Sequence, residues 1–245
     1  MAPQWPAPQG VHAFCSERAG GVSAAPYDTL NLGDHVGDDP LAVAENRRRL
    51  AAQLRARPVF LKQVHGRGVV RLTAATADGS EADACWTMER GVACTMMVAD
   101  CLPVLLADGQ GRVVGAAHCG WRGLAGGVLE ALWEQMVSEA GRAGEWLAWL
   151  GPCIGPDAFE VGPEVRAAFS AGDAGAAAFF RPHAEGKFHA DLQGLARRRL
   201  AAFGIAAIHG NDGSAAWCTV ANPSRFFSHR RDRVSGRFAA GVWLG

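Results

Sequence analysis

The sequence predicts an α+β fold: a single domain, residues 1–245, in which mixed β-sheet layers are flanked by helices. Three observations carry that prediction. Apolar runs of strand length recur at 58–72, 92–108, 112–118 and 146–151, bounded by glycine, proline and aspartate turns. Apolar residues at helical spacing follow Asp39-Pro40 and again Gly120-Trp-Arg-Gly123. No linker, short repeat, charge block or low-complexity tract divides the chain, so these elements are expected to share one core.

From the N-terminus, RAGGVSAAPYDTLNLGDHVGDDP (18–40) is rich in Gly, Pro, Asn and Asp and reads as an irregular loop long enough to be functional. Asp39 and Pro40 stand in N-cap and N1 order. The LAVAENRRRLAAQL that follows places Val43, Arg47, Leu50 and Leu54 along one side of a helix. PVFLKQVHGRGVVRL (58–72) reads as strand, turn at His65-Gly66, strand. VACTMMVADCLPVLLAD (92–108) reads as a buried strand pair interrupted at Asp100-Cys101 and Pro103, and RVVGAAH (112–118) as a further strand. Leu124, Val128, Leu129 and Leu132 then predict one amphipathic helix to about Ser138. A strand at WLAWLG (146–151) leads into the turn PCIGP, helices near 163–170 and 189–203, and a short strand IAAIHG (205–210). The tail FFSHRRDRVSGRFAAGVWLG (226–245) reads as a hairpin whose β-prone arms flank Arg231-Asp-Arg-Val-Ser-Gly236.

Composition narrows the function. A chain of 245 residues, 49% hydrophobic, buries a full core without staples. Lysine plus arginine and aspartate plus glutamate both number 24, so no global field draws nucleic acid or an anionic membrane, and neither is expected as a partner. The opening MAPQWPAPQG has no basic or apolar leader, and no run reaches the ~18 apolar residues of a membrane span. A cytoplasmic location is expected. The seven cysteines (15, 85, 94, 101, 119, 153 and 218) are odd in number and scattered, which favours reduced thiols over a disulfide framework.

His65, Cys101 and His118 each stand where an apolar strand gives way to a turn. Two imidazoles and a thiolate leave one position free on tetrahedral zinc, the arrangement of a catalytic centre. A metal-free alternative makes Cys101 a nucleophile and His118 its base. Arg122, between Gly120 and Gly123 at an expected helix N-terminus, is a candidate for an anion. So is Arg47, the member of the Arg47-Arg48-Arg49 run in register with Val43. Asn31 and Asp34 are candidates for polar contacts to a ligand. Trp121, Phe226 and Phe227 are candidates for stacking, with core packing the commoner use of such residues.

In order along the chain, NLGDHVGDDP (31–40), ENRRRL (45–50), LKQVHG (61–66), ADCLPVLLAD (99–108), AHCGWRG (117–123), LGPCIGPDAFEVG (150–162) and FFSHRRD (226–232) resemble the YfiH family. That family is also called the laccase-domain or polyphenol oxidase-like family. The resemblance implies zinc on His65, Cys101 and His118. It also implies phosphorolysis of purine nucleosides (adenosine, inosine and methylthioadenosine) together with adenosine deamination, so a purine nucleoside and phosphate are the expected partners. For that chemistry Arg122 and Arg47 are the phosphate candidates, Asn31 a further substrate contact, and Asp100 a proton donor or the orienter of a ligating histidine. Other family labels are polyphenol oxidase and peptidoglycan editing factor. Eight histidines without a His-x-His pair give poor support to a multicopper oxidase, although copper can occupy such a site in vitro. The zinc deaminase unit H-x-E with P-C-x-x-C is also absent. Two positions depart from the family pattern: Cys119 where a small Ala is common, and His229 in the motif often written FFSYRRD. If the strand continues through it, Cys119 points away from His118 and packs.

Overall fold

Two stacked sheets dominate the computed structural model, which describes residues 1–245. The first has four strands in the order β1 (Val11–Cys15), β13 (Phe238–Leu244), β5 (Val92–Val98) and β2 (Arg57–Phe60). The second has six: β12 (Ala207–Gly210), β8 (Trp146–Leu150), β6 (Leu102–Asp108), β7 (Val114–Cys119), β4 (Ala84–Thr87) and β3 (Val69–Arg71). A small third sheet orders β10 (Phe180–Pro182), β11 (Phe188–Ala190) and β9 (Glu160–Val161).

The two-residue period of β6 shows how the layers form. Leu105 and Ala107 point into the core between the large sheets, against Val59, Met96, Phe226 and Val242. Leu102, Val104 and Leu106 point the other way, towards α3 (Val128–Ala140), α4 (Pro163–Ser170) and α5 (Leu192–Ala202). On the outer face of the four-stranded sheet, α1 (Pro40–Leu54) covers Phe14, Phe60, Met97 and Trp243 with Leu50. A strand covered on both faces needs apolar residues throughout, which is why 92–98 and 102–108 read as unbroken runs.

Helix α1 begins as expected, with the Asp39 carboxylate accepting from Leu41 N–H and Pro40 at its start. No helix is long and apolar enough to cross a membrane. All seven cysteines are free thiols.

Three expectations need correction. The runs 92–98 and 102–108 are both strands but do not pair: β5 belongs to the four-stranded sheet, and β6 pairs antiparallel with β7 and β8 in the other. The chain crosses between sheets at Asp100-Cys101. The single helix expected from Leu124 is two, α2 (Trp121–Gly126) and α3, because Gly127 adopts φ 92° and breaks the register. The tail is not a hairpin. His229–Asp232 forms a one-turn helix, α6, capped by Ser228 Oγ accepting from Arg231 N–H, and β13 pairs with β1 and β5 instead. Smaller differences are β1 and β4, which had no clear local signal, and the start of α5 at Leu192, capped by Asp191 after β11.

Candidate metal centre

The three expected ligands meet at the seam between the two large sheets. His65 lies in the loop after β2, with φ 61°; Cys101 lies where the chain leaves β5, turns through Asp100 at φ 95° and enters β6; His118 sits near the end of β7. Their ligand atoms all lie within 4.8 Å of one another. Cys101 Sγ is 3.7 Å from His65 Nε2, and the two imidazole rings meet edge-on with centroids 4.8 Å apart. Gly120 makes the approach possible, since a Cβ there would stand 2.9 Å from His65 Cδ2 and 3.0 Å from Cys101 Sγ.

One buried carboxylate organises the surroundings. Asp83 Oδ1 is 2.8 Å from His118 Nδ1 and accepts from His65 N–H at 2.9 Å; Oδ2 accepts from Gly66 N–H at 2.7 Å and Val64 N–H at 3.2 Å. Its backbone carbonyl accepts from His118 N–H at 2.7 Å. Asp83 precedes β4 and carries no local motif. The only signal that could have found it is an acidic residue in an otherwise apolar stretch.

Electrostatics tie the three donors together. Burial alone would raise the Cys101 thiol, but the His118 charge and hydrogen bonds from His118 and His65 bring it down to about 6. Burial disfavours protonated His118, yet Cys101 and Asp83 together raise it to about 9. A cluster that stabilises a thiolate this way, with His118 buried and Cys101 half-buried, suits a cation in its midst.

The donor set fits zinc. Bonds of about 2.3 Å to sulfur and 2.0–2.1 Å to nitrogen at a tetrahedral centre set those donors about 3.5 Å apart, close to the 3.7 Å between Cys101 Sγ and His65 Nε2. A cleft of about 420 Å³ opens beside the cluster, so the fourth direction faces a space that a small molecule can enter.

The other expected residues divide. Arg122 lines the cleft, exposed, with its guanidinium 4.4 Å from the Trp121 ring centroid. Its helix α2 has six residues, too short for the helix-terminal field expected there. His229 lines the cleft, as do Trp121 and Asp100.

Asp100 is not the orienter of a ligating histidine. Its Oδ1 accepts from Thr219 Oγ1 at 2.6 Å and its Oδ2 from Arg230 N–H at 2.6 Å, while Asp83 contacts His118. Arg47 does not line the cleft as a phosphate ligand would. Its Nε donates to Leu32 O at 2.9 Å, it pairs with Asp34 at 3.3 Å, and it lies 4.1 Å over the Phe60 ring. Asn31 is fully buried and spent on the 18–40 loop: Oδ1 accepts from Gly33 and Arg237 N–H, and Nδ2 donates to Gly33 O and Asp38 Oδ2. Asp34 pairs with Arg47 and is not among the cleft residues. Phe226 and Phe227 are fully buried between the sheets. Cys119 is also fully buried, packed on the helical side of β7, and burial pushes its thiol well above the usual range.

Sequence reading missed Arg237, which lines the cleft with NH1 donating to Ser235 O at 2.9 Å and Gly236 O at 3.0 Å. A larger groove of about 740 Å³ lies between α3, α4 and α5, away from the ligand cluster. Two of its three arginines are already paired, Arg198 with Asp173 and Arg199 with Glu130, and none of the ligand cluster lines it, so size alone does not make it the site.

Known proteins match this chain over its full length. The family described as multi-copper polyphenol oxidoreductase laccase matches residues 12–245. A Pseudomonas aeruginosa protein named purine nucleoside phosphorylase is 53% identical, covering 100% of this chain and 98% of its own. Escherichia coli purine nucleoside phosphorylase YfiH is 50% identical, with coverage of 100% and 98%. The crystal structure of a Neisseria meningitidis DUF152 protein superposes with a TM-score of 0.91 at 44% identity, covering 100% of this chain and 98% of that one. Bacillus licheniformis YfiH gives 0.89 at 28% identity, with coverage of 96% and 93%. By the span of the family match and these full-length identities, the chain belongs to the YfiH, or laccase-domain, family.

Proposed function

We propose that this protein is a zinc-dependent purine nucleoside phosphorylase with accompanying adenosine deaminase activity. The observation that carries the reading is the His65–Cys101–His118 cluster, open on one side to a cleft of about 420 Å³. Relatives that match the whole chain at 53% and 50% identity are named purine nucleoside phosphorylases. His65, Cys101 and His118 hold the metal in this reading, which when bound supplies Lewis-acid polarisation at a position open to the cleft. Arg122 attracts and orients phosphate, free to do so because it stacks on Trp121 instead of sitting in an ion pair. The Trp121 and Phe159 side chains give the cleft apolar walls for a nucleoside base. As the glycosidic C–N bond breaks, the purine leaves with its electron pair and takes up a proton from solvent, while an aligned phosphate oxygen bonds to the oxocarbenium-like anomeric carbon.

The metal-free alternative has one observation behind it: Cys101, His118 and Asp83 stand in the order of a nucleophile, base and orienting carboxylate. It leaves His65 only a hydrogen bond to the sulfur, whereas in the metal reading its Nε2 is the third ligand. A multi-copper oxidase needs further metal centres, and only one group of three or more metal-binding side chains is present. The test is incubation of metal-characterised protein with adenosine, with and without phosphate. Phosphate-dependent adenine and phosphate-independent inosine, both lost on chelation and restored by zinc, are expected. Zinc-loaded protein that forms neither adenine nor inosine overturns the reading.

A further inference from the structure

We propose that Asp83 is the positioning residue of the metal centre, fixing the His118 ring in the tautomer that leaves its Nε2 free for the ion and holding the backbone turn that presents His65. The inference rests on the metal reading above and adds a role for a residue that does not itself touch the ion.

The geometry favours positioning over ordinary core satisfaction. Asp83 is fully buried, where an unpaired carboxylate is costly, yet all its partners belong to two short segments, each carrying a ligand. Oδ1 faces His118 Nδ1 at 2.8 Å. A carboxylate only accepts, so the imidazole proton sits on Nδ1 and the Nε2 lone pair points to the cluster. The same oxygen accepts from His65 N–H, and Oδ2 accepts from Gly66 and Val64 N–H. Three successive amides converge on one carboxylate. They hold residues 64–66 in the turn that gives His65 its φ of 61°, a conformation that non-glycine residues seldom adopt. One ligand is thus held by its ring and the other by its backbone, and a single rigid group sets their separation. Carboxylate–histidine–metal arrangements of this kind are worth roughly 10–100-fold in metal affinity.

Asp83→Asn tests the role. The amide keeps the shape but replaces one acceptor by a donor, so it cannot serve the His118 ring and all three amides together. In chelator-competition titrations of zinc-free protein, the variant is expected to bind zinc roughly 10–100-fold more weakly than wild type. Its cobalt absorption bands should also shift, because one ligand has moved. A variant that melts lower but binds zinc as tightly as wild type overturns the positioning role while leaving the metal reading intact. Wild type that binds no zinc overturns both. Should the variant fail to fold, the wild-type protein carries the test. In nitrogen-resolved spectra of the zinc-loaded chain, the His118 Nδ1 proton is expected as a slowly exchanging signal shifted downfield by the carboxylate. A His118 ring bound to the metal through Nδ1 overturns the proposal.

Discussion

His65 Nε2 and Cys101 Sγ stand 3.7 Å apart although 36 positions separate them, one on the loop after β2 and the other at the crossing from β5 to β6. With His118 on β7, the cluster takes ligands from both stacked sheets. An ion held there ties the two layers together at their edge. Anything that binds only the folded chain stabilises it, by about 2.7 kcal/mol at a hundredfold excess over Kd. Saturating zinc is therefore expected to raise the Tm of zinc-free protein. His118→Ala should lose stoichiometric zinc, the thermal shift and activity, while circular dichroism reports a folded chain. Elemental analysis checks this, and retained stoichiometric zinc in the variant refutes the ligand assignment.

Gly120 tests the packing of the cluster without removing a ligand. A methyl group there meets His65 Cδ2 at 2.9 Å and Cys101 Sγ at 3.0 Å, so one of the two must move. Gly120→Ala should weaken zinc binding at least tenfold with only a small change in Tm. Unchanged zinc affinity in a chelator titration would show that the ligands yield freely, contrary to this geometry.

Arg122 and Arg47 separate a cleft arginine from a scaffold arginine. Arg122→Ala is expected to raise the phosphate KM at least tenfold and leave stability within ~0.5 kcal/mol, as for other exposed substitutions. Arg47→Ala loses the Leu32 carbonyl bond and the stacking on Phe60, and should destabilise by about 1–2 kcal/mol with the phosphate KM unchanged. Phosphate-dependence curves and denaturant melts of both variants check the contrast.

The contrast also marks how far the sequence could be read. Arg47 was placed correctly on the inward side of α1, because helical register is local. What that side faces is not local, and it turned out to be Phe60 and Leu32. The Asp39-Pro40 start, the apolar runs and the ligand triple were legible for the same reason, each resting on neighbouring residues or on motifs in order. Sheet membership was not. The break at Asp100-Cys101 is legible, but nothing in 92–108 says that β5 and β6 enter different sheets there, since the partner strands β13 and β7 lie elsewhere in the chain. Asp83 was missed because its role depends on residues 64–66 and His118 arriving at the same place.

Cys101 is the one cysteine not buried. Alkylation of native zinc-free protein should therefore modify one thiol quickly, with peptide mapping assigning it to residue 101, and zinc should protect it. Rapid labelling of Cys119 instead would contradict its packing against the helical layer.

Strand β13 is the last of the thirteen strands along the chain, yet it lies between β1 and β5. The four-stranded sheet therefore lacks the strand that joins its halves until residues 238–244 have been made and have left the ribosome. Nascent chains stalled before residue 238 should stay protease-sensitive across β1 and β5, and acquire resistance only after β13 has emerged.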